Sequence, residues 1–528
     1  MSNSFLKKID YDKLQYNKKV TYSIFRGFIL KKQFKCRYKD VTTIFTYTKD
    51  VKYCNKNNKV KIIRLSQADF TQFLIKLYGN FIETFCKNTR KNSITVKKFN
   101  FKKFKIICIS LTVILLSSFA LLPVLFFCVL NIMLLYHIIC VIIKSIFLIY
   151  TAIKRDDFED FDKYRQIRNK KKLPKYTILV PMFKENQSTV RQSINAINEI
   201  EYPKDLLDVK LVLEEDDLIT REVIDKMQLP DWIIPVFVPY FEPRTKPKAC
   251  NVASLFATGE YLVIFDAEDI PDKFQLLKAV YEFNKDKDLQ ILQGCLRFYN
   301  HRKNLLTQCF NIEYSVWFKN ILRMLSFFNI TIPLGGTSNH IRFSCLEKCG
   351  FWDGYNVTED LELSIIANEK NIKIGHLDSD TKEWCVLNVG SFIKQRTRWL
   401  KGYLLTYLTH FNSFLRTKNI KKMFFFHLVV GFSGLSFLLF PFNIFYLLKF
   451  NNDFLLYLWF CCNVVYYFSY IFLYFSLLRN IDILLTKKMV ISFIIYPVYF
   501  ILHILSAWKA FFEIFYKPFY WAKTKHNV

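Results

Sequence analysis

The residues best suited to chemistry include a short acidic segment, FDAED, at 265–269. Asp266 and Glu268 stand two positions apart, in the D-x-D/E form that holds a hard divalent cation through oxygen ligands, and such a cation can bridge to a diphosphate. Taken alone the pattern is weak, because D-x-E occurs by chance in many loops. The segment predicts a candidate cation site that needs support from other parts of the chain.

A basic segment, PRTKPKACN, occupies 243–251. Arg244, Lys246 and Lys248 would offer positive charge to a phosphate group from a proline-rich connection between strands. A solvated basic loop is the alternative interpretation of the same residues.

A second acidic segment, NVTEDLELSII at 356–366, is typical of a helix start. Thr358 can cap the helix, and Glu359 and Asp360 fall in its first turn, where acids favour the helix dipole. The dipole would favour the charged form of Asp360 and so make it a weaker base. If Asp360 acts as a base, exclusion of water or a nearby negative charge must therefore assist it.

The segment SFIKQRTRWLKGY, 391–403, predicts an amphipathic helix. At 100° per residue, Gln395, Arg398 and Trp399 fall within roughly 100° of one another. An adjacent apolar stripe is expected to face the membrane surface and consists of Leu400, Leu404, Tyr407 and Phe411. Tryptophan beside cations is often an interfacial anchor, but an anchor needs no glutamine and no cations turned to the same side.

Elements that could position these segments alternate along the middle of the chain. KYTILVPMF, VKLVLEEDD and EYLVIFDAED predict buried strands, and STVRQSINAINEI predicts a helix between the first two. This order predicts a mostly parallel sheet with helices on both faces, whose ligands collect at the carboxyl ends of the strands. Acidic residues follow two of the strands at that edge: Asp216 with Asp217, and Asp266 with Glu268 and Asp269.

Five motifs in this order resemble the family-2 glycosyltransferases of the cellulose synthase-like kind. They are Asp216-Asp217, Lys248-Ala-Cys-Asn251, Asp266-Ala-Glu268, Thr358-Glu-Asp360 and Gln395-Arg-Thr-Arg-Trp399, the last of the Q-x-x-R-W type. The resemblance covers about 175–410. It implies an α/β nucleotide-diphospho-sugar transferase domain of the GT-A-like fold, inserted between transmembrane helices.

On the donor side, the resemblance implies an inverting transferase that takes a sugar from a UDP-sugar. Asp216 or Asp217 would contact the uridine, and Lys248 the donor region. Asp266 and Glu268 would act with Mg²⁺ or Mn²⁺ on the diphosphate. Glu268 stands where the family more often has a second aspartate, which lengthens the reach of that ligand by one methylene.

On the acceptor side, the resemblance makes Asp360 the general base, with Glu359 among the substrate-binding residues. The surface where the leaving diphosphate and the acceptor sugar meet would be formed by Gln395, Arg396, Arg398 and Trp399. PLGGTSNHIR, 333–342, is similar to a loop that lines the acceptor site in that family. This assignment agrees with independent chemistry, since arginines stabilise a leaving diphosphate and an indole offers an apolar plane to a sugar.

Membrane segments are expected because 52% of the residues are hydrophobic. Residues 106–143 contain no Lys, Arg, Asp or Glu, which predicts two spans with a hairpin near 117–123. Three further apolar tracts lie at 423–448, 454–478 and 489–508. The basic loop at 479–488 predicts a cytoplasmic catalytic domain, whereas the basic tail after 509 disagrees with three full C-terminal spans.

These observations predict four regions. They are a basic cytoplasmic region at 1–103, a transmembrane helix pair at 104–153, a transferase domain at 154–420 with an interfacial helix at about 392–412, and a C-terminal membrane region at 421–528 with about three helices. Residues 1–100 hold 23 Lys or Arg against 6 Asp or Glu. Attraction to membrane lipids is favoured over a nucleic-acid partner, and compositional drift is the alternative to both.

The leading hypothesis is a bacterial inner-membrane transferase that elongates a β-linked polysaccharide. Transfer of one sugar to a lipid carrier is the alternative within the same class, so the acceptor is a glycan or a lipid-linked sugar. An inactive scaffold or channel is the alternative from another class. The helices after Trp399 are fewer than in cellulose-making members, so partner subunits for export are also expected.

Overall fold

The computed structural model describes residues 14–15, 19–38, 41–47, 60–90, 94–121, 123–153, 173–449, 453–478 and 487–520. Its strands are β1 Leu14–Gln15, β2 Gln33–Tyr38, β3 Val41–Thr46, β4 Val60–Arg64, β5 Tyr176–Met182, β6 Leu207–Glu214, β7 Ile233–Val238, β8 Tyr261–Ile264, β9 Ile270–Pro271, β10 Leu289–Phe298, β11 Asn339–Arg342 and β12 Lys373–Glu383.

The helices begin with α1 Tyr22–Lys31, α2 Gln67–Asn88, α3 Phe101–Leu121, α4 Pro123–Ile153, α5 Gln187–Asn198, α6 Leu218–Asp225, α7 Lys246–Ser254, α8 Gln275–Lys285 and α9 Leu305–Val316. They continue with α10 Leu322–Phe327, α11 Phe343–Cys349, α12 Glu359–Glu369, α13 Val389–Leu415, α14 Ile420–Met423, α15 Phe432–Lys449, α16 Asp453–Leu478 and α17 Lys487–Tyr516. Trp317–Ile321 and Phe424–Gly431 are π-helical.

The chain divides into two compact units, each assembled from separate segments. The first unit comprises residues 1–93, 163–285 and 336–354, and the second comprises 94–162, 286–335 and 355–528. The motifs at 216–217, 248–251 and 266–268 belong to the first unit, and those at 358–360 and 395–399 belong to the second. The boundaries of the four predicted regions stay predictions.

The sheet of the first unit has the strand order β7-β6-β5-β8-β11. β5 pairs in parallel with both β6 and β8, β6 pairs in parallel with β7, and β11 alone among these strands runs antiparallel, beside β8. β6 is buried along its whole length, as expected for a central strand covered on both faces. The three strands predicted from apolar runs are therefore neighbours, and their carboxyl ends lie at one edge.

The described residues between 14 and 90 belong to the first unit. β1 to β4 form a separate four-stranded sheet. Arg26 of α1 donates from Nη1 to the carbonyl oxygen of Leu255, at 3.0 Å, just beyond the C-terminal end of α7. Its guanidinium also lies 4.5 Å from the ring centroid of Phe343. A cation at a helix C-terminus meets carbonyl oxygens that the helix leaves unsatisfied. The contact thus joins α1 to the end of α7 and to α11 within the first unit.

The second unit contains the apolar helices. Among the described residues, four helical stretches have the length and hydrophobicity of membrane spans: Cys128–Tyr150, Ile420–Lys449, Phe454–Tyr474 and Val490–Tyr516. They correspond to four of the five predicted segments. The remaining one corresponds to α3, part of whose side chains lie outside the described residues, as does residue 122 of the predicted hairpin. Most of the loop at 479–488 and the end of the basic tail also lie outside them.

Helix α13 includes the whole of the interfacial helix predicted at about 392–412. Its apolar stripe, however, packs against protein. Leu400 and Leu404 share a cluster with Ala507 and Ala510 of α17, and Tyr407 stacks on Phe426 at a centroid distance of 4.7 Å. The expectation that this stripe faces the membrane surface is wrong for these residues, because helices of the same unit cover it.

Candidate functional site

The acidic segment after β8 forms a tight turn in the first unit. The backbone N–H of Asp266 donates to the Asp269 carboxylate at 2.8 Å, and the Thr337 hydroxyl donates to the same oxygen. Asp269 is buried, and its other oxygen has no hydrogen-bond partner among the described residues. Asp269 therefore closes the turn, which leaves Asp266 and Glu268 as the carboxylates presented at the strand end.

Burial disfavours the charged form of the acids in this turn. It raises the pKa of Glu268 to about 8, with the Asp266 carboxylate adding to the effect. Burial, followed by Asp266 and Glu268, also raises the pKa of Asp269 well above its usual range. At the end of β6, burial raises the pKa of Glu214 despite the opposing charge of Lys248. All three of these acids lie at the carboxyl ends of β6 and β8.

The two lysines of α7 have different partners. Lys246, the first residue of the helix, pairs with Asp266 and donates to the carbonyl oxygen of Gly336 at 2.7 Å. Lys248 is buried and pairs with Glu214 at 2.7 Å. The resemblance carried the donor role to Lys248, but the structure brings Lys246 to the acidic turn. Lys248 compensates a buried carboxylate beside it.

The aspartates after β6 are also distinguished by their surroundings. Asp217 is buried and caps α6: its carboxylate accepts from the Thr220 N–H at 3.2 Å and from the Lys184 N–H at 2.6 Å. Asp216 is exposed and pairs with Arg244 at 2.7 Å. A uridine contact, predicted for one of the two, is therefore easier for the exposed Asp216 than for the buried Asp217.

In the second unit, Glu359 and Asp360 lie in the first turn of α12, as predicted. Thr358 occupies the N-cap position, but its hydroxyl makes no capping bond. The expected side-chain cap is wrong, because Asn356 is an acceptor nearby and takes hydrogen bonds from both the N–H and the hydroxyl of Thr358. The backbone before Asp360 is thus fixed by Asn356.

Asn356 also ties the start of α12 to α13. Its Nδ2 donates to Glu362 and to the Thr406 hydroxyl, each at 2.9 Å. One turn further along α13, His410 lies 3.7 Å from Glu362 and 3.2 Å from Glu369. The electrostatic influence of Asp360 contributes, after burial, to the raised pKa of Tyr403. These contacts place the predicted base beside the helix that carries Gln395 to Trp399.

The four predicted residues of α13 are not equivalent. Arg396 is buried and donates to Glu313 of α9 at 2.6 Å. Trp399, Gln395 and Arg398 are partly exposed. The buried Oε1 of Gln395 has no hydrogen-bond partner among the described residues. Gln395, Arg398 and Trp399 can therefore meet a ligand, whereas Arg396 is engaged within the protein.

The acidic turn fits a divalent cation only in part. Asp266 and Glu268 supply the oxygen ligands that Mg²⁺ and Mn²⁺ prefer, and their crowded negative charge would be relieved by a cation. The described residues contain no group of three His, Cys, Asp or Glu that could hold a metal ion. Mg²⁺ commonly uses one or two carboxylates together with substrate phosphates. The donor set therefore suits a cation that is completed by a diphosphate.

The predicted site residues are brought together in two groups, one in each unit. Sequence reasoning left Glu214, Tyr403 and Glu313 unassigned. For Glu313 a signal was present in the sequence, since it is an acid in the otherwise uncharged helix α9. For Glu214 and Tyr403 no pattern distinguished them from neighbouring strand and helix residues.

A comparison with protein families matches residues 261–512 to the family model described as Glycosyl transferase family group 2. The chain is 29% identical over 341 residues to "Probable glycosyltransferase YdaM" of Bacillus subtilis, with 61% of this chain and 77% of that protein covered. The chain is thus similar to family-2 glycosyltransferases over part of its length. The cellulose synthase-like kind stays a prediction.

Among solved structures, the mannosyltransferase PcManGT of Pyrobaculum calidifontis, in complex with GDP-Man and Mn²⁺, is 15% identical with a TM-score of 0.43. The alignment covers 72% of this chain and 99% of that one. S. aureus TarS 1-349 in complex with UDP-GlcNAc is 14% identical with a TM-score of 0.32, over 61% of this chain and 92% of that one. The predicted fold class, a GT-A-like α/β domain with a mostly parallel sheet between apolar helices, is confirmed.

Replacing Gly402 by alanine tests the close approach of α13 to the start of α12. A Cβ at this position would lie 2.3 Å from Oγ1 and 2.4 Å from Cγ2 of Thr358. Although alanine favours a helix, we expect overpacking to cost about 1–3 kcal/mol. The apparent melting temperature of Gly402→Ala should therefore fall. Gly390→Ala in the same helix is the control, since its Cβ would meet only the Asn388 side chain at 3.6 Å. Equal melting temperatures of Gly402→Ala and Gly390→Ala would contradict the close contact between Gly402 and Thr358.

The buried His410 predicts a pH-dependent contribution to stability. Burial alone would lower its pKa, but Glu362 and Glu369 outweigh burial and raise it to about 9. Because the folded-state pKa lies above the ordinary value of about 6.5, the stabilisation is complete below that pH and is lost as the pH rises through about 9. At its fullest it amounts to about 3 kcal/mol.

The comparison of wild type with His410→Gln measures this contribution. Melting of both proteins in detergent is followed at pH 6, 7.5, 9 and 10. The difference in melting temperature should be largest at pH 6 and should shrink by pH 10. A difference that stays constant over this range would contradict a His410 pKa of about 9.

Proposed function

We propose that this chain is a membrane-embedded, inverting glycosyltransferase that moves a sugar from a UDP-sugar to a growing β-linked polysaccharide. One observation carries the proposal: acids follow the parallel strands β6 and β8 at their carboxyl ends, where Lys246 pairs with Asp266 and Arg244 pairs with Asp216. Perturbed acids beside cations at such an edge are typical of a site for an anionic ligand and its metal.

The first unit would hold the donor. Asp216 would contact the uridine, and Lys246 and Arg244 would lie near the diphosphate. Asp266 and Glu268 would hold Mg²⁺ or Mn²⁺, which when bound neutralises charge on the leaving diphosphate. Because Lys246 already pairs with Asp266, the lysine would exchange that carboxylate for phosphate when the donor binds.

The second unit would supply the acceptor chemistry. Asp360 would take the proton from the acceptor hydroxyl, which typically accelerates a reaction by about 10²–10⁴. Arg398 and Gln395 would meet the leaving group, and the partly exposed indole of Trp399 would offer a flat apolar face to the acceptor sugar. The 333–342 loop would contribute to the same acceptor site.

The membrane context is also part of the proposal. Four apolar helices among the described residues support a membrane protein. We place the catalytic regions in the cytoplasm and the protein in a bacterial inner membrane, with membrane lipids as neighbours. The proposal includes no nucleic-acid partner, and export of a polymer would require partner subunits.

Two other functions lead to different products. Transfer of one sugar to a lipid carrier would give one discrete glycolipid, whereas a polymerase would give a ladder of lengths. An inactive scaffold would give neither. Purified membranes incubated with radiolabelled UDP-glucose, UDP-N-acetylglucosamine or GDP-mannose, followed by product analysis, separate these outcomes. Labelled product from GDP-mannose alone would overturn the choice of UDP-sugar.

Replacing Asp360 by asparagine tests the proposed base. Asparagine is similar in size but cannot accept the proton, so sugar transfer should fall by about 10²–10⁴ while UDP binding is nearly unchanged. Transfer is measured with the labelled donor, and UDP binding by calorimetry. Asp288→Asn, an exposed position of the same unit, serves as the control and should keep full activity. An Asp360→Asn protein that turns over at the native rate would exclude Asp360 as the base.

Asp266 and Glu268 alone do not complete the coordination of a metal ion. We therefore expect Mn²⁺ and UDP to bind cooperatively. UDP should raise the affinity for Mn²⁺ at least tenfold, and by linkage Mn²⁺ should raise the affinity for UDP by the same factor. Calorimetry with Mn²⁺ alone, UDP alone and both together measures the coupling without turnover. Asp266→Asn should abolish it, whereas Asp225→Asn on the exposed end of α6 should not. Independent binding of the two ligands in the wild type would exclude a shared site.

A further inference from the structure

The buried ion pair between Arg396 and Glu313 is surrounded by aromatic rings. The Arg396 guanidinium lies 4.4 Å from the ring centroid of Phe310, 5.3 Å from that of Phe392 and 4.7 Å from that of Trp399. Guanidinium groups over aromatic faces make favourable cation–π contacts, which are stronger when water is excluded. Arg396 therefore connects the Glu313 carboxylate to the indole of Trp399.

Glu313 is held in turn by helices that are apolar enough to cross a membrane. The Tyr499 hydroxyl of α17 donates to its carboxylate, and His503 Nε2 lies 3.4 Å from the same oxygen. The Tyr470 hydroxyl of α16 donates to the backbone carbonyl oxygen of Glu313 at 3.3 Å. Tyr499 and His503 therefore hold the Glu313 carboxylate in addition to Arg396.

The indole has protein on only part of its surface. Its other ring neighbours are Phe310, at a centroid distance of 6.1 Å, and Tyr314, at 6.2 Å, both on α9. Trp399 nevertheless remains partly exposed. The ring is therefore held at its protein side and presents its remaining surface outward.

The Glu313–Arg396 pair stays ionised over the working pH range. Burial alone would raise the pKa of Glu313, but Arg396 leads the opposing effects and lowers it to about 2. Removing one partner of a buried pair leaves the other charge uncompensated, which disturbs the surroundings strongly. A change at Glu313 should therefore reach Trp399 through the guanidinium.

We propose that Glu313 is a positioning residue for the acceptor site, which acts through Arg396 to set the orientation of the Trp399 indole. The inference rests on the proposed function, in which this indole receives the acceptor sugar. It also gives α17 a role in acceptor binding, since Tyr499 and His503 hold the carboxylate that starts this chain of contacts. In this inference Arg396 orients the indole and does not bind phosphate.

A second buried ion pair between α13 and α17 provides a matched control. Lys401 is buried and lies 3.0 Å from Glu513, and its ammonium also donates to the carbonyl oxygens of Lys517 and Tyr520. This pair joins α13 directly to α17. The contacts of Glu313 with Arg396 and with Tyr499 connect the same two helices by way of α9. None of the contacts described for Lys401 involves Trp399. A purely structural role would affect both pairs alike.

The experiment compares Glu313→Gln, Glu313→Asp and Glu513→Gln in the full-length protein, purified in detergent. Steady-state transfer to a β-1,4-linked tetrasaccharide of glucose or N-acetylglucosamine gives separate KM values for acceptor and donor. Glu313→Gln should raise the acceptor KM about tenfold or more and change the donor KM less than twofold. Trp399→Ala should show the same split. Glu313→Asp keeps the charge and should recover part of the loss, whereas Glu513→Gln should leave both KM values within twofold.

Two results would overturn the inference. One is an equal rise of acceptor and donor KM in Glu313→Gln. The other is a Glu513→Gln protein with the same acceptor defect. If the proposed function itself is wrong, the wild type will transfer no sugar, which distinguishes that outcome from both results above. In that case calorimetric binding of the same tetrasaccharides decides, and equal affinity of wild type and Glu313→Gln, or no binding to either, would exclude the positioning role.

Discussion

Helix α13 carries three buried basic side chains, and each of them needs a carboxylate partner within the second unit. Arg396 meets Glu313 of α9, Lys401 meets Glu513 of α17, and His410 meets Glu362 and Glu369 of α12. A buried charge without a partner costs several kcal/mol, so α13 can be buried only if these three elements surround it. The helix with the Q-x-x-R-W motif is consequently the element around which the unit is assembled.

This constraint has consequences for the chemistry proposed here. The glutamates that pair with His410 lie on the helix whose first turn carries Asp360, and Asn356 and Gly402 bring the start of that helix against α13. Asp360 and Trp399 are therefore related through buried polar contacts rather than through loops. Catalytic groups on packed helices are held more closely than groups on loops, which suits a reaction in which base and acceptor must be aligned.

The sequence was sufficient for the strands at 176–182, 207–214 and 261–264, because continuous apolar runs bounded by polar residues are typical of buried parallel strands. It also placed the acids at their carboxyl ends and the helix around Trp399. It left Asp216 and Asp217 as equal candidates and assigned the donor region to Lys248, which stays a prediction. The different tertiary partners of Asp216 and Asp217, and of Lys246 and Lys248, could not be predicted, because neighbouring residues of the same type look alike in sequence. The apolar stripe of α13 was misinterpreted for a related reason, since periodicity identifies a buried face but does not say whether lipid or protein covers it.

The carboxylates of the two units differ in how their charge is compensated. Arg396 and His410 lower the pKa of Glu313 and Glu369 against the effect of burial, whereas burial prevails at Glu268 and Asp269. At the end of β8 the effect of burial is larger than that of the neighbouring cation Lys246, which pairs with Asp266. This balance agrees with the divalent cation proposed above for the turn. A cation shared with a diphosphate would compensate these acids, so that donor binding and charge compensation would be one event.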